Sequence, residues 1–364
     1  MALTIELHPY TFALRRPLRT ARGSIATREG LWVEVRDGDD VGHGDAAPLP
    51  GFSSEDLDET RRALGALSTA ELPEPGDDLD GLHGQLSELA LPPSAHHGLE
   101  QALLTLLARR RGISLAALLS DSEAPGAVPL STLVDGPDAA RAAVQRGAGC
   151  LKLKVGVEDV TADLRRVAAV RGAVGQSVRL RLDANGAWSR EQALAAFDGL
   201  VPLAPECVEQ PLATDDLEGL AALRRRELVA VGADESLRTL DDAEAILAAG
   251  AADVLILKPQ LCGGLLLARR IADLAARRGV AVAPSCSLES RLGIAGAAAL
   301  AAALASRQDV ALWPCGLFPA LLPDEELPRA MVAGEPGCLS SYDPSMAMEK
   351  PFSLPLEQKD QGRS

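Results

Sequence analysis

The chain has 364 residues, 47% of them hydrophobic, 24% charged and only 3% aromatic. That length suits a barrel of about 200 residues plus a smaller domain, with a core built from Ala, Leu and Val. The net charge of −15 argues against a nucleic-acid partner, because a phosphate backbone demands a basic patch.

The first stretch, MALTIELHPYTFALRRPL, lacks the apolar core of a signal peptide. Strand-like LTIELHPYTFAL (3–14) and GLWVEVRDG (30–38) precede helical segments over 54–67 and 96–111. This predicts an α+β domain over residues 1–120. TARGSIATREG (20–30) and AAPLPGFS (46–53) are turn-rich and read either as loops over a neighbouring site or as plain connections. All five histidines, His8, His43, His83, His96 and His97, fall in this part. His96 and His97 are adjacent, so on a helix they diverge by about 100° and cannot form an i, i+4 metal pair. Packing or surface roles are expected for them, and later chemistry has no histidine base from its own segment.

From Val128 the pattern beats between short β-like runs and helical ones. The runs are VPLSTLV (128–134), CLKLKV (150–155), VRLRLD (178–183), CVEQ (207–210), LVAVGAD (228–234), DVLILK (253–258), VAVAPS (280–285) and DVALWP (309–314). Helical periodicity fills segments such as 137–146, 190–200, 241–249 and 265–278, with Asp138, Ser189, Thr214 and Thr239 as expected caps. Such alternation calls for a parallel sheet with crossover helices, and eight strands point to closure into a barrel over 125–315. An open doubly wound sheet is the alternative. The most apolar stretch, 293–305, is shorter than the roughly 18 residues of a membrane span, so no membrane partner is expected. The Pro-rich tail, 316–364, is expected to run back over the first domain. Six cysteines, Cys150, Cys207, Cys262, Cys286, Cys315 and Cys338, occur without a C-x-x-C pair, which predicts reduced thiols and a cytoplasmic protein. The sequence carries no signal of oligomeric state.

Side chains alternate along a strand. LKLKV therefore turns Lys152 and Lys154 to one face, VRLRLD turns Arg179, Arg181 and Asp183 to one face, and DVLILK separates Lys258 from Leu255 and Leu257. With the leucines against the helices, these charges point into the barrel. Glu209 and Asp234 end their strands, where barrel active sites are found. Asp183, Glu209, Asp234 and Lys258 follow one another at 26, 25 and 24 residues, about one βα unit each. Buried carboxylates that converge must be paired or bind a cation. Three oxygen ligands without Cys or His select Mg²⁺, or Mn²⁺ as second choice. A salt-bridge network with Lys152, Lys154 and Arg181 is the alternative. With a metal, Lys154 serves as a base tuned by Lys152, and Lys258 stabilises negative charge. That chemistry is proton abstraction α to a carboxylate with a metal-stabilised enediolate.

The set Lys152-x-Lys154, Asp183-Ala184-Asn185, Glu209-Gln210-Pro211, Asp234-Glu235-Ser236 and Lys258-Pro259 resembles the enolase superfamily, muconate-lactonizing-enzyme subgroup. Such enzymes use a Lys or His base with Mg²⁺. The resemblance implies a (β/α)7β modified TIM barrel, with an N-terminal α+β capping domain completed by the C-terminal tail. It also implies metal ligands Asp183, Glu209 and Asp234 and acid/base lysines Lys154 and Lys258. Asn185 is expected to bind substrate, and Glu235 to support the ligands. PLPGFS (48–53), RLDANGAW (181–188) and PSCSLES (284–290) are most similar to the o-succinylbenzoate synthase family, where the last stretch reads SSS-x-ES. Pro284 and Cys286 depart from it, while Ser285 and Ser287 keep register as expected substrate contacts. This resemblance implies a small-molecule carboxylate substrate: 2-succinyl-6-hydroxy-2,4-cyclohexadiene-1-carboxylate, dehydrated to 2-succinylbenzoate in menaquinone biosynthesis. N-succinylamino acid racemase and muconate cycloisomerase are rivals, because Lys154 and Lys258 could act on two faces. Dipeptide epimerases usually carry a D-x-D near the end of the eighth strand, where this chain has Trp313-Pro314-Cys315-Gly316. A non-catalytic barrel would be expected to lose a ligand or a lysine, and none is missing.

Overall fold

The computed structural model describes residues 3–20, 23–120, 126–317, 321–323 and 338–339. β1 (Thr4–Thr20), β2 (Gly23–Asp37) and β3 (Asp40–Ala46) form an antiparallel sheet in that order. The loop expected over 20–30 is corrected: from Gly23 the chain is strand, with Ile25 opposite Leu18 and Arg28 opposite Phe12. Ile25 and Thr27 are β-branched and suit a ladder, which outweighs the turn-like composition around them.

Four helices follow: α1 (Leu57–Gly65), α2 (Leu79–Glu88), α3 (Pro93–Arg111) and α4 (Leu115–Leu119). α3 begins three residues before the expected start, with Pro93 in its first turn. It lies against β3 so closely that a Cβ on Gly42 or Gly44 would sit 2.0 Å from the carbonyl of Ala102 or Gly98. Bare backbone is what permits the approach. Burial holds the His96 imidazole down to about 4 and that of His97 to about 3, so both are neutral packing groups.

Beyond residue 126 the expected strand over 128–134 is broken into β4 (Val128–Pro129) and β5 (Thr132–Val134). Then come α5 (Pro137–Gln145), β6 (Cys150–Lys154), α6 (Val160–Val174), β7 (Arg179–Asp183), α7 (Arg190–Leu200) and β8 (Cys207–Glu209). α8 (Leu217–Arg224), β9 (Ala230–Ala233), α9 (Leu240–Ala249), β10 (Val254–Leu257), α10 (Pro259–Cys262), α11 (Leu265–Arg277), β11 (Ala281–Pro284) and α12 (Arg291–Ala305) complete the alternation. Ser189 and Thr239 cap α7 and α9 with capping boxes. Asp138 lies inside the first turn of α5, and the cap of α8 is Asp216 instead of Thr214. α12 is the apolar stretch of the sequence, buried along its length. No helix among the described residues is long and apolar enough to cross a membrane.

β5 to β11 form one parallel sheet in chain order. The eighth strand expected over 309–314 is replaced by isolated parallel bridges: Leu312 to Val282, Gly316 to Ser285, and Cys315 to Leu130. Pro314 has no N–H to give a ladder. Trp313 N still donates to Val282 O (2.9 Å) and Cys315 N to Pro129 O (2.7 Å), so this segment bridges both edges and closes the barrel. Inside, Cys207, Val254, Ile256, Ala281 and Ala283 make a small apolar core, while Leu255, Leu257 and Val282 belong to the larger core that includes the helices. The period-two alternation of the sequence is thus realised. Of the tail, Leu321 and Leu322 accept hydrogen bonds from Arg15 of β1 (2.8 and 2.7 Å); the residues of 324–364 other than 338–339 lie outside the described set.

Candidate active site and metal centre

Strand register delivers the charged groups to one level. Lys154 on β6 pairs with Asp183 on β7, and Asp183 with Glu209 on β8. Asp234 and Lys258 follow directly after β9 and β10. Asp183, Glu209 and Asp234 are buried, and each offers a carboxylate oxygen within 4.8 Å of the others. This all-oxygen set suits a hard divalent ion.

The amines flank that set. Lys152 Nζ contacts Glu209 Oε2 and lies 3.0 Å from Asp183 Oδ2. Lys154 Nζ also lies 3.0 Å from Asp183 Oδ2. Lys258 Nζ reaches both oxygens of Asp234, at 2.6 and 2.7 Å. Burial alone would raise the Asp183 carboxyl, but Lys152, Lys154 and Lys258 hold it well below the usual range. Burial raises Glu209, and the neighbouring Asp183 and Asp234 add to this against the pull of Lys152. Burial would lower Lys152 and Lys258, yet the surrounding carboxylates keep both ammonium groups above their ordinary value. The salt-bridge alternative included Arg181, and the structure places it elsewhere. Arg181 donates to Glu206 Oε2 (2.6 Å) and Pro314 O (2.6 Å) and stacks on Trp313.

Asn185, expected at the substrate, is engaged by protein on two sides. Its Oδ1 accepts from Lys154 Nζ (2.6 Å) and its Nδ2 donates to Glu235 Oε1 (2.7 Å). It sits at φ 46, the left-handed region that Asn tolerates better than most residues. Burial pushes Glu235 up to about 7, and its Oε2 has no hydrogen-bond partner among the described residues. Gln210 was not singled out by sequence reasoning beyond its place in a motif. Its buried Oε1 accepts from the backbone N–H of Asp234 (3.0 Å) and Ser236 (3.1 Å), and its Nε2 donates to Ser236 Oγ (2.7 Å). One amide therefore joins the tip of β8 to that of β9 and sets the backbone at Asp234.

The lysines, Asp183 and Asn185 open on a cavity of about 140 Å³. Leu49 and Phe52 from the 46–53 loop line it, with Ser131, Leu133, Ser285, Ser287 and Leu288. The loop reading of 46–53 therefore holds. The Ser285 hydroxyl donates to Gly316 O (3.3 Å), whereas the buried Ser287 hydroxyl has no partner among the described residues. Ser131 and Leu133 escaped sequence reasoning because they read as ordinary strand residues.

Residues 137–330 match the family model for the enolase C-terminal domain-like fold, and residues 3–106 match that for the MenC N-terminal domain. The chain is 31% identical to the L-Ala-D/L-Glu epimerase of Bacillus subtilis, over 82% of this chain and 84% of that one. It is 40% identical to the o-succinylbenzoate synthase of Thermobifida fusca, over 49% of this chain and 56% of that one. The crystal structure of the Enterococcus faecalis dipeptide epimerase, complexed with Mg and a dipeptide, superposes with a TM-score of 0.79. It shares 28% identity and covers 87% of this chain and 90% of that one.

Proposed function

The chain belongs to the enolase superfamily, in its muconate-lactonizing subgroup, and on that premise we propose that it is an o-succinylbenzoate synthase of menaquinone biosynthesis. The reaction removes water from 2-succinyl-6-hydroxy-2,4-cyclohexadiene-1-carboxylate. The observation that carries the reading is the row of three buried carboxylates with Lys154 at one end and Lys258 at the other. Asp183, Glu209 and Asp234 would hold Mg²⁺, or Mn²⁺; their oxygen-only donor set fits such an ion. When bound, the ion supplies positive charge against a substrate carboxylate whose charge grows as the α proton leaves.

The chain's own residues do the rest. Lys154, steadied by Asn185, takes the α proton. Its ammonium then carries a proton that the departing hydroxyl can accept, so hydrogen and hydroxyl leave as water. Lys258 stays cationic, held by Asp234, and opposes the negative charge. Ser287 lines the cavity beside Leu288, and its buried hydroxyl has no partner among the described residues, so it is suited to a polar atom of the succinyl arm. The synthase reading is supported over a dipeptide epimerase by the segment Trp313-Pro314-Cys315-Gly316, which offers no carboxylate for a substrate amine. Gly316 itself lines the cavity. The match of residues 3–106 to the MenC N-terminal domain points the same way.

An N-succinylamino acid racemase is the second reading, favoured by two amines that both border the cavity. The test is to offer the pure chain with Mg²⁺ each substrate separately, following dehydration by ultraviolet absorbance and racemisation by polarimetry. Dehydration is expected. Turnover of the N-succinylamino acid alone would remove the synthase assignment, and full activity in EDTA would contradict the metal site.

A further inference from the structure

Two walls of the cavity come from distant parts of the sequence: the 46–53 loop, with Leu49 and Phe52, and the turn after β11, with Ser287 and Leu288. One side chain joins them. Arg28 on β2 is 1% exposed. Its Nη2 donates to Ala47 O (2.9 Å), its Nη1 to Pro48 O (3.0 Å) and its Nε to Leu288 O (3.1 Å). A guanidinium carries its donors in one rigid plane, so the three carbonyls are held in fixed relation. On the first wall they directly precede Leu49. On the second, Leu288 sits at φ 61, a left-handed conformation uncommon for a side chain of its kind, and Arg28 holds its carbonyl there.

A separate tie secures the base of both walls. Asp45 Oδ2 accepts from Ser290 N (2.9 Å) and Ser290 Oγ (2.7 Å), and Trp32 Nε1 donates to Ser290 Oγ (2.9 Å). Loss of Arg28 would therefore loosen the loop tips while the cap stays seated. We propose that Arg28 is a positioning residue for substrate selection, fixing the separation of Leu49 and Phe52 from Ser287 and Leu288. Among the described residues its side chain bonds only to those three carbonyls, not to the site carboxylates or lysines. The inference rests on the reading of the cavity as the substrate site and adds to it a cap residue remote in sequence from the catalytic groups.

The test compares Arg28→Met and Arg28→Lys with the wild-type chain. The measurements are kcat and KM for the dehydration substrate, the ratio of kcat/KM between it and an N-succinylamino acid, Mg²⁺ affinity by calorimetry, and thermal unfolding. Removing hydrogen bonds from a charged donor is expected to raise KM about tenfold or more in the Met variant. The substrate ratio should shift with Mg²⁺ affinity unchanged, and Lys should fall between. Phe52→Ala should add little to Arg28→Met, since both act through one wall. A folded Arg28→Met protein with wild-type KM and substrate ratio overturns the proposal. If that variant does not fold, Arg28→Lys decides through hydrogen exchange of residues 46–53: faster exchange with higher KM supports the role, and both unchanged overturn it. A wild-type chain that turns over neither substrate would instead overturn the function proposed above, and the exchange measurement would still decide the case of Arg28.

Discussion

Lys154 and Asp183 face each other in the register of β6 and β7, and their charged ends meet at 3.0 Å. The amine proposed as base thus touches a carboxylate proposed as metal ligand, and its second protein partner is Asn185. Lys154→Ala should therefore remove the proton acceptor while leaving the three carboxylates in place. The expected loss in kcat is about 10²- to 10⁴-fold, with Mg²⁺ still bound. Lys154 is part-exposed, so unfolding temperature should change little. Retained kcat in the Ala variant would refute the assignment of the base.

Lys258 distinguishes one-base from two-base chemistry. In the dehydration it acts as a fixed cation, and Arg keeps a cation. Lys258→Arg should then keep clearly more dehydration activity than Lys258→Ala, for which a drop of about 10²- to 10³-fold is expected from the loss of one electrostatic contact. In a racemase Lys258 must also accept a proton, which Arg cannot do. Equal loss in the two variants, read from kcat on the same substrate, would favour the racemase.

Much of this site was legible in the sequence because barrel chemistry is periodic. Asp183, Glu209, Asp234 and Lys258 recur at one βα interval; parity gives the face of Asp183 and Lys258, and position at a strand end marks Glu209 and Asp234. Parity along a strand does not report depth. Arg181 shares the inward direction with Asp183 yet sits two residues earlier on β7, paired with Glu206 and stacked on Trp313. Contacts between units were also hidden. Gln210 and Arg28 act through backbone groups far along the chain, and no local pattern announces such partners. The strand over 23–30 was missed because its Gly, Ser and Glu residues resemble a turn, while its pairing with β1 is a long-range choice.

Glu100 gives the fold a pH dependence independent of catalysis. It lies buried on α3, accepting from Leu266 N (3.0 Å) at the start of α11, and its other oxygen has no hydrogen-bond partner among the described residues. Burial pushes its carboxyl from the ordinary 4.5 up to about 8, against the pull of the Leu266 and Leu265 amides. A raised folded-state value means the folded chain holds this proton more tightly than the unfolded one. The contribution is complete below 4.5 and is lost progressively as pH rises to about 8. Glu100→Gln has no proton to lose. Its unfolding temperature, minus that of the wild type, should grow from pH 5 to pH 8 and level off above. Parallel curves would show that Glu100 does not titrate in this window.

Arg181 should separate stability from chemistry. It is 1% exposed at the level below the site, stacked 5.1 Å from the Trp313 centroid, and bonded to Glu206 and Pro314 O. Arg181→Ala leaves a cavity, an unbonded carbonyl in the segment that closes the barrel, and a mostly buried Glu206 whose remaining ion-pair partner among the described residues is Arg179. Breaking a buried pair from one side costs on the order of 3 kcal/mol, read as a lowered denaturant midpoint. Because Arg181 makes no hydrogen bond or ion pair with the three carboxylates among the described residues, kcat per folded molecule should stay within about threefold of the wild type below the new transition, far from the loss expected for a catalytic group. A kcat loss as large as that of Lys154→Ala in a protein of wild-type stability would place Arg181 in the chemistry instead.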